Sequence, residues 1–191
     1  TPGPDMTLSI SRALSQGKAA AFFVVVGTSL GCVVHTLLVA FGVSALITAS
    51  PTAFMILKTG GAAYLFWLAV QAIRYGSTLT VKKVDDTGAS PLANISTGLG
   101  VNLLNPKVII FFMTFLPQFV TAHDPAVTQK LLFLGFFFIV ASLPVNVLVI
   151  LTADGLSGWL QRKKSIMRGI DYTFAGVFSI FAVKILFTQT R

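Results

Sequence analysis

Five long apolar runs, set apart by short polar gaps, organise the chain: Ala19 to Ala49, Ala53 to Ile73, Leu92 to Ala122, Leu131 to Ala153 and Ile170 to Phe187. A helix rises about 1.5 Å per residue, so roughly 20 apolar residues cross a hydrocarbon core of about 30 Å. The runs therefore predict an all-α integral membrane protein, a helical bundle with five visible transmembrane helices. Gly42 and Ser50-Pro51 mark where the first run bends and stops. Proline lacks an N–H and disfavours helix in the residue before it, so Asn105-Pro106 predicts a broken helix in the third run. Pro144 and Asn146 predict a second kink in the fourth.

Charge gives the bundle an orientation. Hydrophobic residues make up 54% of the chain and charged residues 10%, with no glutamate, against about 25% charged residues in soluble domains. The net charge of +8 does not point to nucleic acid, because the basic residues are confined to the gaps and form no separate domain. Alternating gaps divide them unevenly. Met6–Lys18, Arg74–Pro91 and Asp154–Arg168 hold nine, and the other set, with the C-terminal end, holds Lys58, Lys130, Lys184 and Arg191. An excess of Lys and Arg marks the cytoplasmic side. Placing Met6–Lys18 there requires a preceding crossing, so a sixth, N-terminal helix is expected, with both termini outside.

The same count predicts a single transmembrane domain over 1–191 made of two halves, 1–75 and 92–191, joined by the loop 76–91. Each half would hold three crossings, with the second inverted relative to the first. Pro2-Gly3-Pro4-Asp5 and Asn105-Pro106-Lys107 fall at matching places in the two halves, where broken helices in inverted repeats form transport sites near the midplane.

Those two breaks carry the candidate chemistry. Pro2, Gly3 and Pro4 free backbone carbonyls, which hold an ammonium group, and amides, which hold a carboxylate; an interfacial turn is the plainer role. Asp5 is a candidate proton-coupling carboxylate, weighed against a simple N-terminal helix residue favoured by the helix dipole. Lys107 stands alone in a run that is otherwise uncharged, where a central lysine costs about 2.5–3.5 kcal/mol or more. It predicts a partner, either Asp5 or a substrate carboxylate. Asn102, Asn105 and Pro106 complete the expected substrate site, with at least one asparagine recapping the broken helix. His35, inside the first run, is a second proton-coupling candidate, and a neutral interhelical hydrogen bond is its plainer role.

Other classes of chemistry find little here. One cysteine, Cys32, allows no intrachain disulfide or dithiol exchange and reads as a small buried hydrophobe. No phosphate-binding Gly-x-x-x-x-Gly-Lys loop is present, and two histidines and one cysteine offer no cluster at metal-ligand spacing. No cofactor or metal is expected, and an enzyme is not. Gly27-x-x-x-Gly31 is a small-residue face that permits close packing within the chain or in a homodimer.

Taken in order, Pro2-Gly3-Pro4-Asp5, Gly27…Gly31…His35, Ser50-Pro51, Leu57-Lys58-x-Gly60-Gly61-Ala62-x-Tyr64-Leu65, Gly98…Asn102-Leu103-x-Asn105-Pro106-Lys107 and Pro117-Gln118-Phe119 resemble the LysE/RhtB family of amino-acid exporters over nearly the whole chain. The resemblance implies export of amino acids such as homoserine, homoserine lactone, threonine, leucine or lysine. It also implies a bacterial inner membrane, coupling to protons rather than ATP, and an apolar first helix leading into the Pro-Gly-Pro motif. The alternative is a passive channel for small zwitterions or a non-transporting membrane subunit. A channel would show polar residues along a whole helix face rather than Asp5 and Lys107 at shared breaks.

Overall fold

A computed structural model of the chain describes residues 3–75 and 88–153, with isolated positions at 169, 172, 173, 176, 179 and 180. Pro2, most of the loop 76–91 and nearly all of the fifth apolar run lie outside the described residues. The elements are α1 (Pro4–Gln16), α2 (Lys18–Ala49), α3 (Pro51–Tyr75), α4 (Pro91–Leu103), α5 (Pro106–Phe115), a short 3-10 helix (Leu116–Phe119) and α6 (Val127–Leu151), with no strand among the described residues.

Three of these, α2, α6 and Pro51–Gln71 of α3, are each long and apolar enough to span a membrane alone. They bear apolar side chains all round, as lipid-embedded helices do. Leu38, Phe41, Ile56, Phe133, Phe137 and Leu148 are among the exposed ones. A fourth span is made in two pieces: α4 and the α5–3-10 unit pass the same test together but bend by 58° at their junction. The break expected at Asn105-Pro106 is therefore present. At Pro144 the chain behaves differently, because α6 runs through it as one helix.

The segment from Met6 to Lys18, read from charge as a gap, is mostly helix. Its apolar positions Met6, Ile10, Ala13 and Leu14 recur at helical spacing and face a cluster with Ala21 and Val25 of α2, Ile150 of α6 and Ala153 just after it. Gly17, at φ +89, joins α1 to α2 in one residue. That left-handed conformation suits glycine and folds the two helices back on each other.

At the other end of α2, Val39, Ala40 and Val43 pack with Phe54 of α3, Phe112 of α5, Leu116, and Val127 and Leu131 of α6. These two clusters fix the directions. The C-terminus of α1, the N-termini of α2 and α4 and the C-terminus of α6 share one end, and Ser50 and Val120 through Lys130 share the other. The helix ends that border the gaps assigned to the cytoplasm, at Gln16, Pro91 and Leu151, thus share a common end.

Small residues set how closely the helices approach. A Cβ at Gly27 would strike the backbone of Ile95 and Leu99, and one at Gly98 would strike the Val24 carbonyl. The Gly27–Gly31 face is therefore occupied by α4 of the same chain. Gly135 of α6 makes room for Thr36 of α2, and Gly61 of α3 brings its Cβ position to 3.0 Å from Thr114 of α5.

Candidate functional site

Both α1 and α4 have 13 residues, about 20 Å of helix. Each reaches only partway across a core of about 30 Å. They share the end at which Gln16 and Asn94 meet, so the N-terminus of α1 and the C-terminus of α4 both stop in the interior of the bundle. The break lies there.

Local chemistry explains its shape. Asn105 is extended (φ −75, ψ 105), and its side-chain oxygen accepts from the Lys107 N–H at 3.1 Å, an N-cap that starts α5 with Pro106 in its first turn. The end of α4 closes with Leu104 N–H donating to the Gly100 carbonyl at 3.0 Å and Asn105 N–H to the Asn102 carbonyl at 3.1 Å.

Asp5 meets this break from α1. Asn102 Nδ2 donates to one carboxylate oxygen at 2.5 Å, and Asn105 Nδ2 donates to the other at 2.8 Å. One amide comes from each side of the break, so a single carboxylate ties α1 to both α4 and α5. Hydrogen bonds to a charged group contribute about 1.5–3 kcal/mol, and Asn102 and Asn105 are 1% and 5% exposed, so each amide would lose much if left unpaired. Asp5 also occupies the first turn of α1, where the helix dipole favours its charge.

Helix α2 supplies the rear wall. His35, 6% exposed, places Nε2 3.4 Å from the Asn102 carbonyl, and its ring lies 5.8 Å from that of Phe112. Cys32 Sγ is 3.6 Å from Asn102 Nδ2 and 3.8 Å from Asn102 Oδ1. A side chain at Gly31 would overlap the Asn102 amide. Asn102 is thus the hub, touching Asp5 of α1 and Cys32 and His35 of α2.

Of the residues singled out from sequence, Asp5, His35, Asn102 and Asn105 come together in one cluster. Gly3 caps α1 in extended conformation and Pro4 opens it. Pro106 and Lys107 open α5. Lys107 is half-buried; the partners described for the Asp5 carboxylate are the two asparagine amides. Pro2 lies outside the described residues. Cys32, expected as a small buried hydrophobe, shares a side of α2 with His35 and Thr36, a spacing of polar groups that marks a contact with something polar. Among the described residues no three His, Cys, Asp or Glu side chains gather as a metal site.

Comparison with known proteins agrees with this architecture. Residues 1–189 match the LysE type translocator family. A homoserine/homoserine lactone efflux protein of Salmonella typhimurium is 29% identical over 94% of this chain and 86% of its own length. An uncharacterized membrane protein of Vibrio cholerae is 31% identical over 93% of this chain and 85% of its own. A leucine efflux protein of Klebsiella pneumoniae is 23% identical over 99% of this chain and 89% of its own. No solved structure matches the chain.

Proposed function

Because the chain belongs to the LysE type translocator family, as a multi-pass protein of the bacterial inner membrane, we propose that it exports amino acids or close amino-acid derivatives and couples their passage to protons. The observation that carries this reading is the Asp5 carboxylate held by Asn102 and Asn105 from the two sides of an interior helix break. The efflux names of the two substrate-named relatives support the substrate class.

The break has the polarity of a zwitterion. Carbonyls at the end of α4 and the Asp5 carboxylate suit an ammonium group. The opening of α5, with its dipole and Lys107, suits a carboxylate. A substrate ammonium competes with the Asn102 and Asn105 amides for the same carboxylate oxygens, and so does a proton. Occupancy by one or the other therefore changes how firmly α1 is tied to the break. In alternating access, substrate leaves outward, a proton taken by Asp5 from outside resets the site, and its release to the cytoplasm restores the carboxylate. His35, against the Asn102 carbonyl, is the neighbouring titratable group for that proton.

The placement of Pro4-Asp5 and Pro106-Lys107 supports an inverted relation between the halves. Each pair opens an interior half-helix, α1 or α5, with opposite charge at the second position.

Lys107→Met tests the site. Export measured as resistance to, and release of, an overproduced amino acid should be abolished, while the amount of membrane-inserted protein stays at the wild-type level. Transport unchanged in that variant would falsify the role.

A further inference from the structure

The Asp5 end of α1 is used by the break, but the opposite end of the same helix carries a second polar feature. There, a cavity of about 340 Å³ opens between α1, α2 and α4, with Ser15, Gln16, Ala20, Phe23, Ala89 and Asn94 in its wall. That is within the size range of small-molecule sites. Asn94 is 1% exposed. Its Nδ2 donates to Gln16 Oε1 at 3.1 Å and to the Ala89 carbonyl at 3.4 Å. The two side chains thereby fix each other, yet Asn94 Oδ1 and Gln16 Nε2 are both buried without a hydrogen-bond partner.

Buried polar atoms left unsatisfied are costly. Here they are one acceptor and one donor. The acceptor suits an ammonium group and the donor suits a carboxylate, while Ala20 and Phe23 leave apolar wall for a side chain. None of the residues lining the cavity carries a charge. The cavity lies at the end where the basic gaps meet, with Gln16 11 residues along α1 from Asp5, or about 17 Å.

We propose that this cavity is a cytoplasmic vestibule that receives the backbone ammonium and carboxylate of an amino acid before it moves to the break. This rests on the export reading, since only an exporter loads from that side. Gln16 and Asn94 are its binding residues, and both stand apart from the Asp5 cluster.

The test uses inside-out bacterial membrane vesicles carrying the full chain, assayed for uptake of the twenty common amino acids and homoserine. Gln16→Glu keeps the oxygen that accepts from Asn94 but replaces the donor with a second oxygen. Ser15→Phe fills the cavity from its rim and leaves both amides intact, so a folding defect in one variant does not decide the outcome. For whichever substrate is moved, each variant should raise KM from the cytoplasmic face about tenfold, the effect of one lost hydrogen bond. The maximal rate and the KM from the opposite face should stay within about twofold. KM unchanged in both variants, while Asp5→Asn abolishes uptake, means that the cavity holds water only and overturns the vestibule but leaves the export reading standing. Wild-type vesicles that take up none of these compounds overturn the export reading and the vestibule with it.

Discussion

Pro106 and Pro144 both interrupt long apolar runs, and only one of them breaks its helix. Each withdraws a backbone donor. At Pro106 the chain bends by 58°, because Asn105 caps the new helix and Asp5 reaches in to hold Asn102 and Asn105. At Pro144 the neighbours are Leu143 and Val145, and the carbonyl that loses its partner belongs to Val140, itself 64% exposed. Ser142, two residues before it, spends its hydroxyl on the Ile139 carbonyl of the same helix at 2.7 Å, and among the described residues no side chain from another helix bonds to this stretch, so opening α6 there would only add unsatisfied groups in lipid. A proline in a membrane helix is thus permission to break. Whether the helix breaks is decided by the polar side chains that other helices bring to the spot.

The largest way to break that contrast is Asn102→Leu. It removes the amide on the α4 side and leaves the Asp5 carboxylate with one donor in a buried setting, so the folded protein in detergent should lose about 2–3 kcal/mol, read from a denaturation curve. A smaller loss, of about 1–3 kcal/mol, is expected for Gly31→Ala, whose new methyl overlaps the same amide. Gly60→Ala, at a site with open space, serves as its control. Pro144→Ala should change stability by less than about 1 kcal/mol, because neighbouring groups in membrane bundles already accommodate the missing donor, and leave export near the wild-type rate.

The smallest effect concerns the polar loop before α6. The Lys130 ammonium and the Ala126 N–H hold Asp124 below its usual carboxylate range. A group depressed in this way stabilises the fold above its ordinary pKa of 3.8, and the contribution is lost as pH falls through the lowered value. Lys130→Ala should therefore weaken the acid dependence of unfolding without moving transport, as an acid titration of both proteins would show.

Much of this was legible in the sequence, for identifiable reasons. Length and apolarity alone specify α2, α3 and α6, and Asn105-Pro106 specifies the break because its effect is local. The residues named for the site also drew notice by chemistry, since Asp5, His35, Asn102 and Lys107 are polar where polarity is costly. Helix α1 escaped, because 13 residues with Arg12 among them are too short and too polar to read as a crossing; only its packing against α2 and α6 makes it part of the bundle. The contact of Cys32 with Asn102 escaped for another reason. It joins residues 70 apart in the chain, and no local pattern reports which face of α2 meets α4. For Pro144 the sequence reports only the lost donor, and what other helices bring to that spot is not in any local pattern.

Gly17 has a mechanical consequence. A single residue joins α1 to α2, so α1 has no slack and can move only as a lever about that point. With an arm of about 20 Å, a swing of about 10° at Gly17 would carry the Asp5 carboxylate some 3 Å, the length of the bonds it makes. A small rotation at one end of the helix is enough to let go at the other.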